Sequence, residues 1–480
     1  ESTMTSRGLT FAASRTLPTW LPRSRRGLAT GWRRRTQHLD ESRDDIDGID
    51  RASSMGDREI AQALGLNDEW LDAARRVRAR VAPELAATGE IARTNTARVL
   101  AALGRAGLGD YHFGGTSGYG YDDTGREHLE RAFADVFGAE AALVRIQMVS
   151  GTHALAAVLF GLLRPGDLLV SAYGPPYDTM VTMIGSNRPV RGSLAEYGVE
   201  YLEVPVGAGG EPDYAGISRA AGGARMVLIQ RSRGYSWRRA LSCDDIGRIA
   251  GCVKAANPQA VVFVDNCYGE FTETAEPCAV GADVAAGSLI KNPGGGIAPC
   301  GGYIVGRADL VEMAAERLTA PGLGSHTGPT LGFTRLLAQG LFMAPLVTGE
   351  AVAGSQFASA FLSDLGFEVS PRPGERRHDI VLAVRLGSPE NVYAFCRAVQ
   401  STSPVDAGVT PVAAPMPGYA DEVIMAAGTF VQGASIELSA DAPLRPPYDA
   451  YLQGGLVRHQ AEFAMLKFAQ GLQRKPTSRG

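Results

Sequence analysis

The stretch GSLIKNPGGG, residues 287–296, carries a small and apolar run onto one lysine, Lys291, and then dissolves into proline and glycine. A lysine at the end of a buried strand is costly to desolvate. That cost is accepted where a lowered pKa is wanted, as in imine chemistry with an aldehyde cofactor. Upstream lies VVFVDNCYGEF, residues 261–271, four apolar residues with Asp265 at their carboxyl end. Asp265 precedes Lys291 by 26 residues, enough for one crossover between neighbouring parallel strands. In open α/β sheets, ligands bind beyond the carboxyl ends of the strands. A carboxylate there can pair with a protonated pyridine nitrogen and keep the ring an electron sink.

Around this pair the chain alternates short apolar runs with helical periods. Strands are predicted at 142–146, 167–171, 199–204, 226–230, 260–264, 284–290 and 302–305. Such alternation predicts an α/β fold with a mostly parallel central sheet covered by helices. The turn Val149-Ser150-Gly151-Thr152 feeds an apolar helix and offers free N–H groups and a dipole end to a phosphate. Ser288, three residues before Lys291, can add a hydroxyl. Tyr177, 27 residues after Ser150, ends the next strand, where an aromatic ring can stack on a flat cofactor. Each of these residues also has a plainer reading: a surface lysine, a turn-capping Asp, an ordinary N-cap, a packing tyrosine. Their order along the chain favours the joint one: phosphate turn, stacking aromatic, pyridine carboxylate, imine-forming lysine.

Several longer motifs carry a resemblance. GTSGYGYDDTGR (115–126), RIQMVSGTHA (145–154), QRSRGYSWR (230–238), GSLIKNPGGGIAPCGGYIVG (287–306) and MPGYADEVIMAAGTFVQGASIELSADAPLRPPY (416–448) are similar to the methionine gamma-lyase family, also called the aluminium resistance protein family. This family is related to the Cys/Met-metabolism lyases among the fold-type I pyridoxal-phosphate enzymes. The resemblance spans about residues 58–473 and implies a large cofactor domain with a smaller α+β C-terminal domain. It implies Lys291 as the imine lysine, Asp265 at the pyridine nitrogen, Tyr177 on the ring, and Ser150, Gly151, Thr152 and Ser288 at the phosphate. Tyr119 and Tyr121 would reach a neighbouring subunit's phosphate, so a homodimer or a dimer of dimers (a homotetramer) is expected. Arg231 and Arg233 are candidates for the phosphate or the substrate carboxylate, with structural ion pairing as the plainer reading, and Arg445 for the carboxylate, with a surface or interface arginine as the plainer reading. Tyr235 falls with Arg231 and Arg233 at the end of the 226–230 strand, on the cofactor side. Cys300 stands where many relatives carry Thr, and the short YxR-type motif of the better-known lyases is absent.

The expected reaction is carbon–sulfur elimination on a small amino-acid substrate. The alternatives are another pyridoxal-phosphate reaction (aminotransferase, aldolase, racemase) or a cofactor-binding stress or metal-resistance protein without turnover.

Composition fits this reading. The 480 residues carry a net charge of −4, so no basic field invites nucleic acid or an anionic membrane. Apolar stretches are interrupted before membrane-spanning length. Six cysteines show no CxxC pair or metal-type spacing, which suits reduced thiols, no metal and a cytoplasmic setting. Residues 1–54 are rich in Arg, Ser and Thr and nearly free of acid before Asp40. They read as a disordered N-terminal extension, with Met55 as a natural start, or as an organellar transit peptide. Helical text fills 55–110, a large cofactor domain 111–330 and a small domain 331–480. Within the last, helices are predicted at 328–347, 349–365, 389–400 and 450–473, with a strand in ASIELSA, 434–440.

Overall fold

The computed structural model describes residues 56–188, 190–416 and 421–472. The expectation of disorder at 1–54 lies outside these. Residues 56–64 are helical, and after them come helix α1 (Asp68–Ala106), α2 (Thr124–Phe137) and strand β1 (Ala141–Arg145). Then follow α3 (Gly151–Leu162), β2 (Leu168–Ser171), α4 (Asp178–Ile184), β3 (Glu200–Glu203), α5 (Tyr214–Ala221), β4 (Met226–Gln230), α6 (Cys243–Ala256), β5 (Val261–Asp265), β6 (Val284–Ser288) and β7 (Gly302–Gly306). These seven strands form one sheet in the order β1-β7-β6-β5-β4-β2-β3. The run β3-β2-β4-β5-β6 is parallel, and β7 lies antiparallel to both β6 and β1.

The central strands MVLIQ, VVFVD and VAAGS are buried along their whole length. That is the pattern of strands covered on both faces. Because they run the same way, their carboxyl ends arrive together. Gln230 of β4 sits opposite Asp265 of β5, and Asp265 opposite Ala286 of β6. All seven predicted strands are present in the predicted order. The one expected to reach residue 290 stops at Ser288, where Leu289 turns to donate to the Gly301 carbonyl.

The remaining elements are α7 (Ala308–Leu318), α8 (Thr334–Asp364), β8 (Glu368–Ser370), β9 (Val381–Arg385), α9 (Pro389–Ser401), β10 (Ala413–Ala414), β11 (Val423–Ala427), β12 (Ser439–Pro443), β13 (Asp449–Gln453) and α10 (Arg458–Gly471). The last six strands make an antiparallel sheet, β10-β11-β12-β13-β9-β8. Two predicted helices are one here: α8 runs unbroken through Pro345 and Gly349. Its early residues Leu337, Ala338, Leu341 and Ala344 join the core of the first sheet. Its late residues Phe357, Ala358, Ala360, Phe361 and Leu362 join the core of the second. Burial on this scale outweighs the weak breaking tendency of one Gly and one Pro. α8 is also long and apolar enough to cross a membrane, but most of its apolar window is buried inside the protein. The predicted closing helix starts eight residues late. Asp449–Gln453 pairs as a strand with β9 and β12, and Gly454 and Gly455, both at positive φ, separate it from α10. The predicted 434–440 strand is displaced towards Ser439–Pro443.

The glycines after Lys291 are explained by contact. A Cβ on Gly294 would fall on the Leu289 carbonyl, and one on Gly295 would lie 2.5 Å from the Gly340 carbonyl of α8. A Cβ on Gly340 would meet the Gly294 carbonyl at 2.4 Å. The turn is therefore pressed backbone to backbone against α8, an approach only glycine permits.

Candidate active site

One cavity of about 270 Å³ lies beyond the carboxyl ends of β4, β5 and β6. At one end is the start of α3. Ser150 caps it, its Oγ accepting from the His153 N–H at 3.1 Å. The first-turn N–H groups of a helix have no intrahelical acceptor and carry the positive dipole end. Gly151 lets this helix end press on β6, since a Cβ there would lie 2.9 Å from the Ser288 Cβ. A cradle of N–H groups and hydroxyls results, suited to an anion.

Along one wall Tyr177 opens α4. Its hydroxyl lies 2.9 Å from Thr152 Oγ1, and its N–H donates to Gln230 Oε1 at 2.7 Å. Gln230 is held in turn by donating to the Ser232 carbonyl at 3.0 Å. Burial raises the Tyr177 phenol, and the nearby Asp265 adds to the effect, so the ring stays neutral.

Asp265 is 4 % exposed, with Oδ1 accepting from the Cys267 N–H at 3.1 Å. Burial pushes its carboxyl up. The Lys291 charge and hydrogen bonds from Cys267 work against that. The lowered pKa expected for Lys291 is not found: burial does oppose the charged form, but Cys267, Tyr268, Asp265 and Tyr177 together hold its pKa well above the ordinary lysine value. The amine rests over the Tyr268 ring, Nζ 3.9 Å from the centroid. Tyr268 pays for that position in its backbone, with φ at +72°. Such conformations in bulky residues gather at functional sites.

Seven predicted residues therefore meet around one cavity: Ser150, Gly151, Thr152, Tyr177, Asp265, Ser288 and Lys291. Other predicted residues do not. Arg231 is corrected from a substrate ligand to a core residue. It is fully buried, paired with Glu273 at 2.9 Å and Glu276 at 3.5 Å, and bonded to Asn266 Oδ1 at 2.8 Å. Arg233 is likewise turned away, donating to the Ser370 carbonyl at 2.7 Å and lying 3.7 Å from Asp379. Arg445 pairs with Asp421 at 2.7 Å and lines a separate small cavity on the other side of Tyr235. Tyr119 and Tyr121 stack on each other, 68 % and 55 % exposed, in a loop outside the cavity. Tyr268, Cys267, Gln230 and Tyr235 do line it without having been assigned a role there. The first two sit inside the VVFVDNCYGEF motif, and the signal available was their distance of two and three residues from Asp265.

The sheet order, the strand ends and the lysine–carboxylate pair define the fold of pyridoxal-phosphate enzymes of fold type I. The chain belongs to the methionine gamma-lyase family, whose model matches residues 70–473. An uncharacterised Bacillus subtilis protein, YnbB, is 47 % identical over 388 residues, 80 % of this chain and 92 % of that one. A candidate cystathionine beta-lyase involved in aluminium resistance, from Clostridium acetobutylicum, is 43 % identical with a TM-score of 0.84, covering 88 % of this chain and 99 % of that structure. A carbon-sulfur lyase involved in aluminium resistance, from Clostridium novyi, is 42 % identical with a TM-score of 0.83, covering 86 % and 98 %. Membership implies pyridoxal phosphate, and the residues fit it. An anion cradle at α3, a buried carboxylate and an amine line one cavity.

Proposed function

We propose that the protein is a pyridoxal-phosphate-dependent carbon–sulfur lyase acting on a sulfur-containing amino acid. The observation that carries this reading is the convergence of Lys291 and Asp265 on one cavity from adjacent strands, with the α3 cradle at its end. When bound, the cofactor supplies an electron sink for negative charge at the substrate α-carbon. Ser150, Gly151, Thr152 and Ser288 would hold its phosphate, the Tyr177 ring would lie against its ring, and Asp265 would face the ring nitrogen. Lys291 would be the amine for its aldehyde and, once free, the base for the substrate α-proton. The sulfur group at the β or γ position then departs, and hydrolysis by one water yields a 2-oxo acid and ammonia. Lys291 over Tyr268 is positioned for this, since the ring face favours the protonated amine that the step produces.

The site is read as one of a homo-oligomer, with the exposed Tyr119 and Tyr121 loop meeting a second copy. The unpaired state of all six cysteines favours a reducing, cytoplasmic setting. Cystathionine, methionine and cysteine offered to the purified protein with pyridoxal phosphate should yield 2-oxo acid, ammonia and a thiol from at least one. Transamination without ammonia, or no product, overturns the lyase reading.

A further inference from the structure

The second sheet reaches the edge of the cavity through a carboxylate that holds one hydroxyl. Tyr235, on the loop after β4, lines the cavity with Lys291. Its hydroxyl donates to Asp441 Oδ2 of β12. Gln453 of β13 donates to the same oxygen at 2.7 Å, and the Tyr235 ring packs on Tyr451, centroids 5.3 Å apart. Asp441 is 2 % exposed, and its Oδ1 is buried without a hydrogen-bond partner in the protein. The loop is tied down a second time. The Ser232 hydroxyl and the Arg233 N–H both donate to Asp379 Oδ2, at 2.8 and 3.2 Å. Asp441 of β12 thus holds the phenol, and Asp379 just before β9 holds its loop, at the edge of the cavity. Phosphate binding, ring stacking and α-proton removal give this pair no task. Burial raises the Asp441 carboxyl, while hydrogen bonds from Tyr235 and Gln453 and the Lys291 charge oppose the rise.

We propose that Tyr235, backed by Asp441, donates the proton that leaves with the sulfur. The inference rests on the lyase reading. Lys291 takes the α-proton, and the electron pair of that C–H bond is passed on to form the new carbon–carbon double bond. The C–S bond breaks with its pair going to sulfur. The Tyr235 phenol proton moves to that sulfur, while Asp441 and Gln453 keep the phenol in place. Lys291 is then one proton richer and the Tyr235 phenol one poorer, and water evens the two before the next turnover. The opposite charges left on the two groups attract each other. An alkyl thiolate is a poor leaving group without a proton, so the donor matters most for such substrates.

The test separates leaving groups. Cystathionine loses an alkyl thiolate, whereas β-chloro-L-alanine loses chloride, which needs no proton. Tyr235→Phe keeps the ring against Tyr451 and removes only the hydroxyl. It should slow cystathionine elimination by about 10²–10⁴-fold. Chloride release and α-hydrogen exchange with deuterated water should stay near the parent values. Asp441→Asn should act in the same direction, with a smaller loss. Equal slowing of both substrates in Tyr235→Phe, or loss of exchange with them, would mark a merely structural tyrosine and overturn the proposal. So would an unchanged rate on cystathionine. Failure of the lyase reading looks different: the parent protein itself would neither exchange the α-hydrogen nor release chloride, and the proposal would fall with it.

Discussion

Lys291 and Arg231 are both basic residues just past the end of an apolar strand, and the structure gives them opposite tasks. Lys291 faces the cavity over Tyr268. Arg231 turns into the core, where Glu273, Glu276 and Asn266 surround its guanidinium. Lys291→Ala should abolish turnover and the borohydride-fixed label on the peptide containing residue 291, with the fold intact by circular dichroism. A label that persisted elsewhere at full cofactor loading would sink the assignment. Arg231→Met should behave otherwise. It takes one counter-charge from the buried Glu273 and Glu276 and leaves them His378 at 3.2 Å and Arg98 at 3.4 Å, against a loss of about 3–5 kcal/mol where a buried pair is broken outright. Thermal unfolding should fall sharply, while KM at a temperature where the variant is folded stays near that of the parent. The contrast also shows what a sequence can tell. Lys291, Asp265, Ser150 and Tyr177 were legible because each ends an apolar strand or opens a helix, which are local signals. The directions of Arg231, Arg233 and Arg445 were not. Their partners Glu273, Asp379 and Asp421 lie at sequence distances that no local pattern encodes.

The elements place these residues through close backbone contact. The start of α3 reaches β6 only because residue 151 lacks a side chain. Gly151→Ala would bring a Cβ to 2.9 Å from Ser288 Cβ and push the helix end away from the phosphate position. Cofactor affinity, followed by absorbance on titration with pyridoxal phosphate, should fall while secondary structure is kept. An unchanged affinity would mean that the anion binds elsewhere. The seven strands of the first sheet could be read in order because each is a compact apolar run between turn signals. α8 and the start of α10 could not. A Gly and a Pro look like breaks in isolation, and only the two cores flanking α8 show why it continues. The strand at Asp449–Gln453 was concealed within helical text because its pairing with β9 joins residues about 70 positions apart.

At the scale of the whole molecule, the core beneath the site stores a titration. Glu270 is fully buried, accepting from the Tyr303 hydroxyl at 2.8 Å, and burial pushes its carboxyl up to about 8 from 4.5. The folded protein therefore keeps a proton that the unfolded chain gives up. Between about pH 4.5 and 8 the native state binds more protons, so this group's contribution to stability falls as pH rises. Glu270→Gln cannot ionise. Melting temperatures measured across that window should decline less with pH in the variant than in the parent, and parallel curves would refute the assignment. The same scale includes the second copy expected at the Tyr119 and Tyr121 loop. If a tyrosine from one protomer completes the site of the next, Lys291→Ala and Tyr119→Ala-Tyr121→Ala chains should each be nearly inactive alone. Unfolded together and refolded as mixed oligomers, they form pairs in which one site combines an intact Lys291 with intact tyrosines from its neighbour. Activity should then reappear, and only in the mixture. If the tyrosine variant is fully active alone, or the mixture stays as inactive as its parts, each protomer's site is complete without its neighbour.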